Sequence, residues 1–86
     1  MAFMTLNITE PERAQGQLVD VIADLEGRGY QVLAAVVASG LCATLQIEND
    51  LLKIPLESGG FKEYRVRREN DPLSGDIRIE YERKGG

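Results

Sequence analysis

The sequence predicts an α+β fold in which one N-terminal amphipathic helix packs on a mainly antiparallel, curved sheet of five to six strands. Three observations predict it. A helical pattern follows one short strand, a later strand is apolar on both faces, and further alternating segments are separated by turn residues. The predicted order is β-α-β-β-β-β-β. At 86 residues, we expect one domain over 1–84 and a flexible Gly-Gly tail over 85–86.

The first strand and the helix are predicted from a change of period near residue 9. Apolar and polar residues alternate over Phe3–Ile8. Thr9 followed by Glu12 has the spacing of a capping box, and Pro11 suits a first turn, so the helix is expected to begin at Thr9. Gly16 interrupts the helical pattern and is a candidate for close approach of another backbone.

Three strands are expected in the middle of the chain. Tyr30–Ala38 is apolar on both pleat faces, which is typical of a central strand. Alternation then predicts a strand over Leu41–Glu48 with Cys42 pointing outward, and a second strand over Leu51–Leu56. A two-residue turn at 49–50 joins them into a hairpin that pairs Ile47 with Leu52.

The last two predicted strands are Phe61–Glu69 and Asp76–Lys84, joined by the segment 70–75. Together with the two hairpin strands Leu41–Glu48 and Leu51–Leu56, they form a predicted four-strand meander. In the predicted register, three pairs of opposite charge face each other: Glu69 with Arg78, Arg67 with Glu80, and Arg65 with Glu82.

The pairing of the first strand and the cover of the sheet are left open by the sequence. The first strand could lie parallel to the Tyr30 strand through a right-handed crossover, or it could pair with the C-terminal strand. A helix about 10 Å wide covers roughly two strand spacings of 4.8 Å. The sheet therefore needs further cover from strong curling or from a second subunit, which favours a homodimer or a partner protein.

The composition excludes several kinds of chemistry. The chain has no His, no Trp and one cysteine, Cys42, which excludes imidazole catalysis, zinc ligand sets and an intramolecular disulfide. We expect no enzyme activity, no cofactor and no metal. The longest apolar stretch, 32–45, is too short to span a bilayer, and a lone cysteine suits a reducing compartment. A cytoplasmic protein without membrane contact is expected.

Two charged surfaces are candidate binding sites. The predicted strand Phe61–Glu69 is basic and begins with an aromatic residue, so it could bind nucleic acid, although interleaved glutamates cancel much of its positive charge. The acidic helix surface could attract a basic partner, as nucleic-acid mimics do, and the chain carries a net charge of −4. The predicted partner-binding residues of both surfaces are Arg65, Arg67, Arg68, Arg78, Phe61, Asp20 and Asp24.

Two further motifs give only weak indications of function. The tripeptide Glu-Asn-Asp at 48–50 and 69–71 offers oxygen ligands, but it lacks the spacing of a calcium loop and is typical of turns. The ending Lys84-Gly85-Gly86 is similar to the Gly-Gly terminus of ubiquitin-like sulfur carriers. Those families place two strands before their helix, whereas this chain has one, so a flexible tail is expected.

The leading hypothesis is therefore a small, soluble, non-catalytic protein-binding module of adaptor or inhibitor type. It would act through its sheet face or edge, as a homodimer. The alternatives are a nucleic-acid binder that uses the strand with Arg65, Arg67 and Arg68, and an acidic nucleic-acid mimic that uses the helix surface.

Overall fold

One helix packs on one face of a six-stranded mixed sheet in the computed structural model, which describes residues 1–70 and 75–85. The α+β class and the predicted order of elements are confirmed. The predicted tail at 85–86 and the predicted segment 70–75 lie partly outside the described residues. The elements are Ala2–Asn7 (β1), Ala14–Gly27 (α1), Tyr30–Ala38 (β2), Ile47–Glu48 (β3), Leu51–Pro55 (β4), Phe61–Glu69 (β5) and Asp76–Arg83 (β6).

The strand order is β1-β6-β2-β5-β4-β3, and β2 and β5 are parallel while the other neighbours are antiparallel. The predicted four-strand meander is therefore wrong, because β2 lies between β5 and β6. Of the two pairings left open for the first strand, the structure has the second, since β1 pairs with β6. The hairpin between β3 and β4 is confirmed, with Ile47 opposite Leu52.

Two of the predicted charge pairs form, but they form across an intervening strand rather than between neighbouring strands. Arg67 makes an ion pair with Glu80, and Arg78 Nη2 lies 3.9 Å from Glu69 Oε1. These side chains reach across β2 rather than between neighbouring strands, and Val36 of β2 is the register partner of both Arg67 and Arg78. The predicted direct register between β5 and β6 is wrong because the two strands do not touch in the sheet.

The helix begins later than predicted. A 3-10 turn over Pro11–Arg13 precedes α1, and the Arg13 N–H donates to the Glu10 carbonyl at 2.9 Å. The first turn therefore closes on Glu10 rather than on Thr9, and no side chain caps it, so the predicted capping box is wrong. Gly16 has nothing within 4 Å of the position of a Cβ atom, so it marks no close approach.

The first half of the predicted strand Leu41–Glu48 belongs to a 3-10 segment, Ser39–Thr44, and only its last two residues form β3. Leu41 and Leu45 are buried, and the Thr44 hydroxyl donates to the Leu41 carbonyl at 2.7 Å. Cys42 does not point outward from a strand. It is half-buried, and its Sγ lies 3.6 Å from the Ala38 carbonyl oxygen.

This 3-10 segment supplies the cover that the helix alone was expected to lack. It contacts α1 and β5, and its Leu41, together with Leu45 directly after it, joins the core on the inner face of the sheet. Leu52 and Ile79 are fully buried within a single chain, and Ile54 is nearly so. Tyr81 is half-buried against Tyr30, with ring centroids 5.1 Å apart. The predicted shortfall of cover is therefore wrong, and it gives no support to a dimer.

Candidate interaction surface

The strand β1 forms one edge of the sheet, and no strand within residues 1–70 and 75–85 lies beside it on the side away from β6. Its sequence, AFMTLN, contains no charged residue, no proline and no glycine. Natural proteins protect exposed edges with charges, prolines, bulges or very short strands, because unpaired backbone groups bind other strands. β1 carries none of these features.

The free backbone groups of this edge can be assigned from one hydrogen bond. The Ile8 N–H donates to the Gly75 carbonyl at 2.6 Å and continues the β1–β6 register by one pair. Backbone groups of alternate residues in an antiparallel strand point to opposite sides. The backbone N–H and C=O groups of Met4 and Leu6 therefore point toward β6, as those of Ile8 do. The outward-facing residues, whose backbone N–H and C=O groups point away from β6, are Phe3, Thr5 and Asn7.

The side chains of β1 are suited to contact on both faces. On the outer face, away from the helix, the Phe3 side chain is 65% exposed, and the Arg78 guanidinium carbon lies 5.6 Å from its ring centroid. On the inner face, Met4 and Leu6 are half-buried against the edge of the core. A strand added here would extend the core and cover an exposed aromatic ring.

The opposite edge of the sheet is protected. β3 is two residues long, the Lys53 N–H donates to the Gln46 carbonyl at 2.9 Å, and Pro55 has no N–H to offer. β3 leaves Pro55 unpaired on this side. The two edges therefore differ, and only β1 presents a long and unprotected one.

The predicted basic strand does not form one positive stripe. Arg65 and Arg67 point to the outer face with Arg78, where Arg67 is paired with Glu80. Arg68 points to the other face, and its Nη2 lies 3.9 Å from Asp50 Oδ1. Arg65 forms no ion pair within 1–70 and 75–85.

The other predicted residues lie apart from these arginines. Phe61 is 58% exposed at the start of β5, beside Lys53 and near the protected edge. Asp20 and Asp24 are exposed on α1, and Asp24 Oδ2 lies 3.2 Å from Arg28 Nε. The structure thus spreads the predicted residues over both faces of the sheet and the helix rather than bringing them together.

An open groove of about 410 Å³ lies between the first halves of β2 and β5, where the parallel pairing begins only at Ala34 and Arg65. Glu26 of α1 reaches into it. Lys62 Nζ lies 2.6 Å from Glu26 Oε2, and the Tyr64 hydroxyl donates to the Glu26 carboxylate at 3.0 Å. These contacts fasten the end of the helix to β5.

The pKa values of Tyr64 and Lys62 in this cluster are both shifted upward. Burial raises the pKa of the Tyr64 hydroxyl, and the hydrogen bond to Glu26 raises the pKa of the Lys62 ammonium. Both shifts move the groups further from neutral pH, whereas a general acid or base works best with a pKa near the working pH. The cluster is best explained as a structural contact.

The free edge was not singled out from the sequence as a particular strand. The signal was present, because 2–7 is a run without charge, proline or glycine. Its meaning depended on the strand order, since the same run in the middle of a sheet would be ordinary core. Because the sequence leaves the pairing partner of the first strand open, it does not place that strand at an edge.

Comparison with known proteins gives no guide to function, because the chain matches no family model, no curated protein and no solved structure. In the part of the chain that the structure describes, no helix is long and apolar enough to cross a membrane. The geometry of the edge is therefore the basis for the function proposed below.

Proposed function

We propose that this chain is a non-catalytic protein-binding module that takes up its partner as an added strand along the free edge of β1. One observation carries the proposal: within the described residues, β1 is a six-residue edge strand without charge, proline or bulge, and the opposite edge has several protecting features. In binding of this kind, backbone hydrogen bonds supply affinity and alternate side chains supply specificity.

The side chains of β1 define the partner that would fit. Met4 and Leu6 on the inner face favour a partner segment with apolar residues at alternate positions on that side. Phe3, with Arg78 over its ring, favours a polar or aromatic residue on the outer side. An extended segment of about six residues with this alternation is the expected ligand.

A peptide-display selection against the folded chain tests the proposal. Thr5→Pro removes an N–H that points away from β6, so it blocks an added strand while leaving the β1–β6 hydrogen bonds in place. Thr5→Val keeps the backbone and serves as the matched control. We expect extended peptides with alternating apolar residues that bind the wild type and Thr5→Val but not Thr5→Pro.

Equal binding of the selected peptides to a folded Thr5→Pro variant would contradict the proposal, as would the absence of any enriched peptide when the wild type is shown to be a monomer with its β1 edge unoccupied. Circular dichroism and the urea midpoint establish that the variant is folded. A chain that binds through its charged outer face would instead lose binding on Arg67→Glu and keep it on Thr5→Pro.

The nucleic-acid alternative has less support from the geometry. Arg67 and Arg78 are engaged with Glu80 and Glu69, and Arg68 points to the opposite face. We also propose a reducing, cytoplasmic location, which the single free thiol of Cys42 supports.

A further inference from the structure

We propose that the strand added to β1 is β1 of a second copy of this chain, so that two six-stranded sheets join into one across a two-fold axis. This inference rests on the proposed function, because it names the occupant of the same edge. The inference does not depend on a need to bury the inner face of the sheet, because a single chain already buries that face.

The spacing of the outward-facing residues fits a symmetric partner. Phe3, Thr5 and Asn7 are evenly spaced, so an antiparallel two-fold axis at Thr5 sets Thr5 against itself and Phe3 against Asn7 of the second copy. Each of these pairs can exchange two N–H···O bonds. A symmetric register centred on any other residue of β1 uses fewer of the outward-facing residues.

The side chains agree with that register. On the inner face it places Met4 opposite Leu6 of the second copy, so half-buried apolar side chains meet apolar ones and extend both cores. Each chain has a net charge of −4, but β1 itself is uncharged, so no like charges face each other across the new pair of strands.

The β1 edge also lacks the features that prevent pairing with a second copy. The features that keep natural edge strands from pairing with themselves are charges, prolines and bulges, and β1 has none of them. The β1–β6 ladder is regular over all six residues, so no irregularity twists the edge away from a neighbour. The edge is therefore self-complementary in sequence and in shape.

Disulfide cross-linking tests the register directly. In a Cys42→Ser background, Thr5→Cys places two thiols on the axis, with Cα atoms about 5.5 Å apart in a hydrogen-bonded pair. That distance lies within the range of about 4.4–6.8 Å that a disulfide accepts. Phe3→Cys in the same background is the matched control, because its two copies would be roughly 14 Å apart along the strands.

With a disulfide oxidant such as oxidised glutathione, we expect Thr5→Cys to form covalent dimers at least tenfold faster than Phe3→Cys. A mixture of Phe3→Cys with Asn7→Cys should form the mixed dimer, because these positions face each other in the proposed register. Sedimentation of the wild type should show a monomer–dimer equilibrium that depends on protein concentration.

Two substitutions at Thr5 separate a lost dimer from a lost fold. Thr5→Pro should sediment as a monomer. Thr5→Glu faces Arg78 within its own chain, which favours the fold, but sets two like charges against each other on the axis. We expect Thr5→Glu to be folded and monomeric at low salt, and Thr5→Val to dimerise as the wild type does.

A wild type that stays monomeric at every concentration, with Thr5→Cys linking no faster than Phe3→Cys, would overturn the dimer. If display then still yields peptides that bind the wild type but not Thr5→Pro, the edge-binding function stands with a different partner. If neither peptides nor a second copy bind, both proposals are wrong.

Discussion

Arg67 and Glu80 form an ion pair over the outer face of β2, although the strands that carry them, β5 and β6, are not neighbours in the sheet. Beneath the pair lie Ala34 and Val36, which are buried despite facing away from the helix. The Glu80 side chain is only 14% exposed. Long charged side chains thus cover the small residues of the central strand and keep them from water.

Glu80→Ala should lower the free energy of unfolding by about 1–2 kcal/mol, because it removes the partner of Arg67 and uncovers part of β2. Glu80→Gln keeps the cover and a hydrogen-bond acceptor, so its cost should be smaller. Urea unfolding at low protein concentration measures both. Glu80→Ala with the same unfolding midpoint as the wild type would show that the pair is a surface contact without effect on stability.

Tyr64→Phe should cost about 1 kcal/mol at neutral pH, because Glu26 loses the hydroxyl that donates to it. The matched control is Tyr30→Phe, which keeps the edge-on contact of its ring with Tyr81. Urea unfolding of the two variants gives the comparison. Equal costs for both would show that the hydrogen bond between Tyr64 and Glu26 contributes nothing.

The cluster of Tyr64, Lys62 and Glu26 should make the stability of the fold depend on pH. Folding raises the pKa of Tyr64 and of Lys62 above their ordinary values of 10.0 and 10.5. The unfolded chain therefore loses these protons first as the pH rises, and the stability present below pH 10 decreases above it. Unfolding midpoints from pH 8 upward should fall more steeply in the wild type than in Tyr64→Phe, and parallel curves would contradict this assignment.

Gly75→Ala should destabilise the chain by about 1–3 kcal/mol, because a methyl group there would lie 2.7 Å from the Ile8 carbonyl oxygen. The change acts at the point where the end of β1 is bound to Gly75. Gly16→Ala is the matched control. It meets no atom and lies in an exposed helical position, so it should stabilise by about 0.5–1 kcal/mol. Thermal unfolding gives the sign of each effect, and a neutral Gly75→Ala would refute the close approach.

The fold class and most element bounds could be predicted from the sequence, because alternation and helical spacing are local signals. The strand order could not. The opposite charges of Arg67 and Glu80 predicted correctly that the two residues pair, but they suggested that β5 and β6 are neighbours. Because Ala34 and Val36 are small, long side chains can meet across an intervening strand, and charge pairing does not reveal that strand.

The 3-10 segment Ser39–Thr44 shows a second limit. Leu41 lies in the segment, Leu45 directly follows it with an extended backbone, and both are buried. Their spacing of four residues places both on one face of a strand, but a turn that brings them back to the same core buries them equally well. The sequence pattern was compatible with both, and the strand was the wrong choice. That error also produced the expected lack of cover, because the segment leaves the sheet and packs on its inner face.

Of the candidate surface, the sequence predicted a sheet edge or face in general terms but not which strand. The charged residues it favoured, such as Arg67 and Asp24, are engaged with partners in the same chain. The lack of charge in β1 does not mark it as a binding strand in the sequence, because lack of charge is informative only once a strand is known to lie at an edge.

Amide hydrogen exchange along β1, followed by NMR, tests the central claim most directly. At low protein concentration and without a partner, the amides of Phe3, Thr5 and Asn7 should exchange quickly, and those of Met4 and Leu6 slowly. At high protein concentration, or with a selected peptide bound, the first three should become protected as well. Rapid exchange of these three amides in the presence of every bound partner, or protection in the isolated monomer, would contradict a free binding edge at β1.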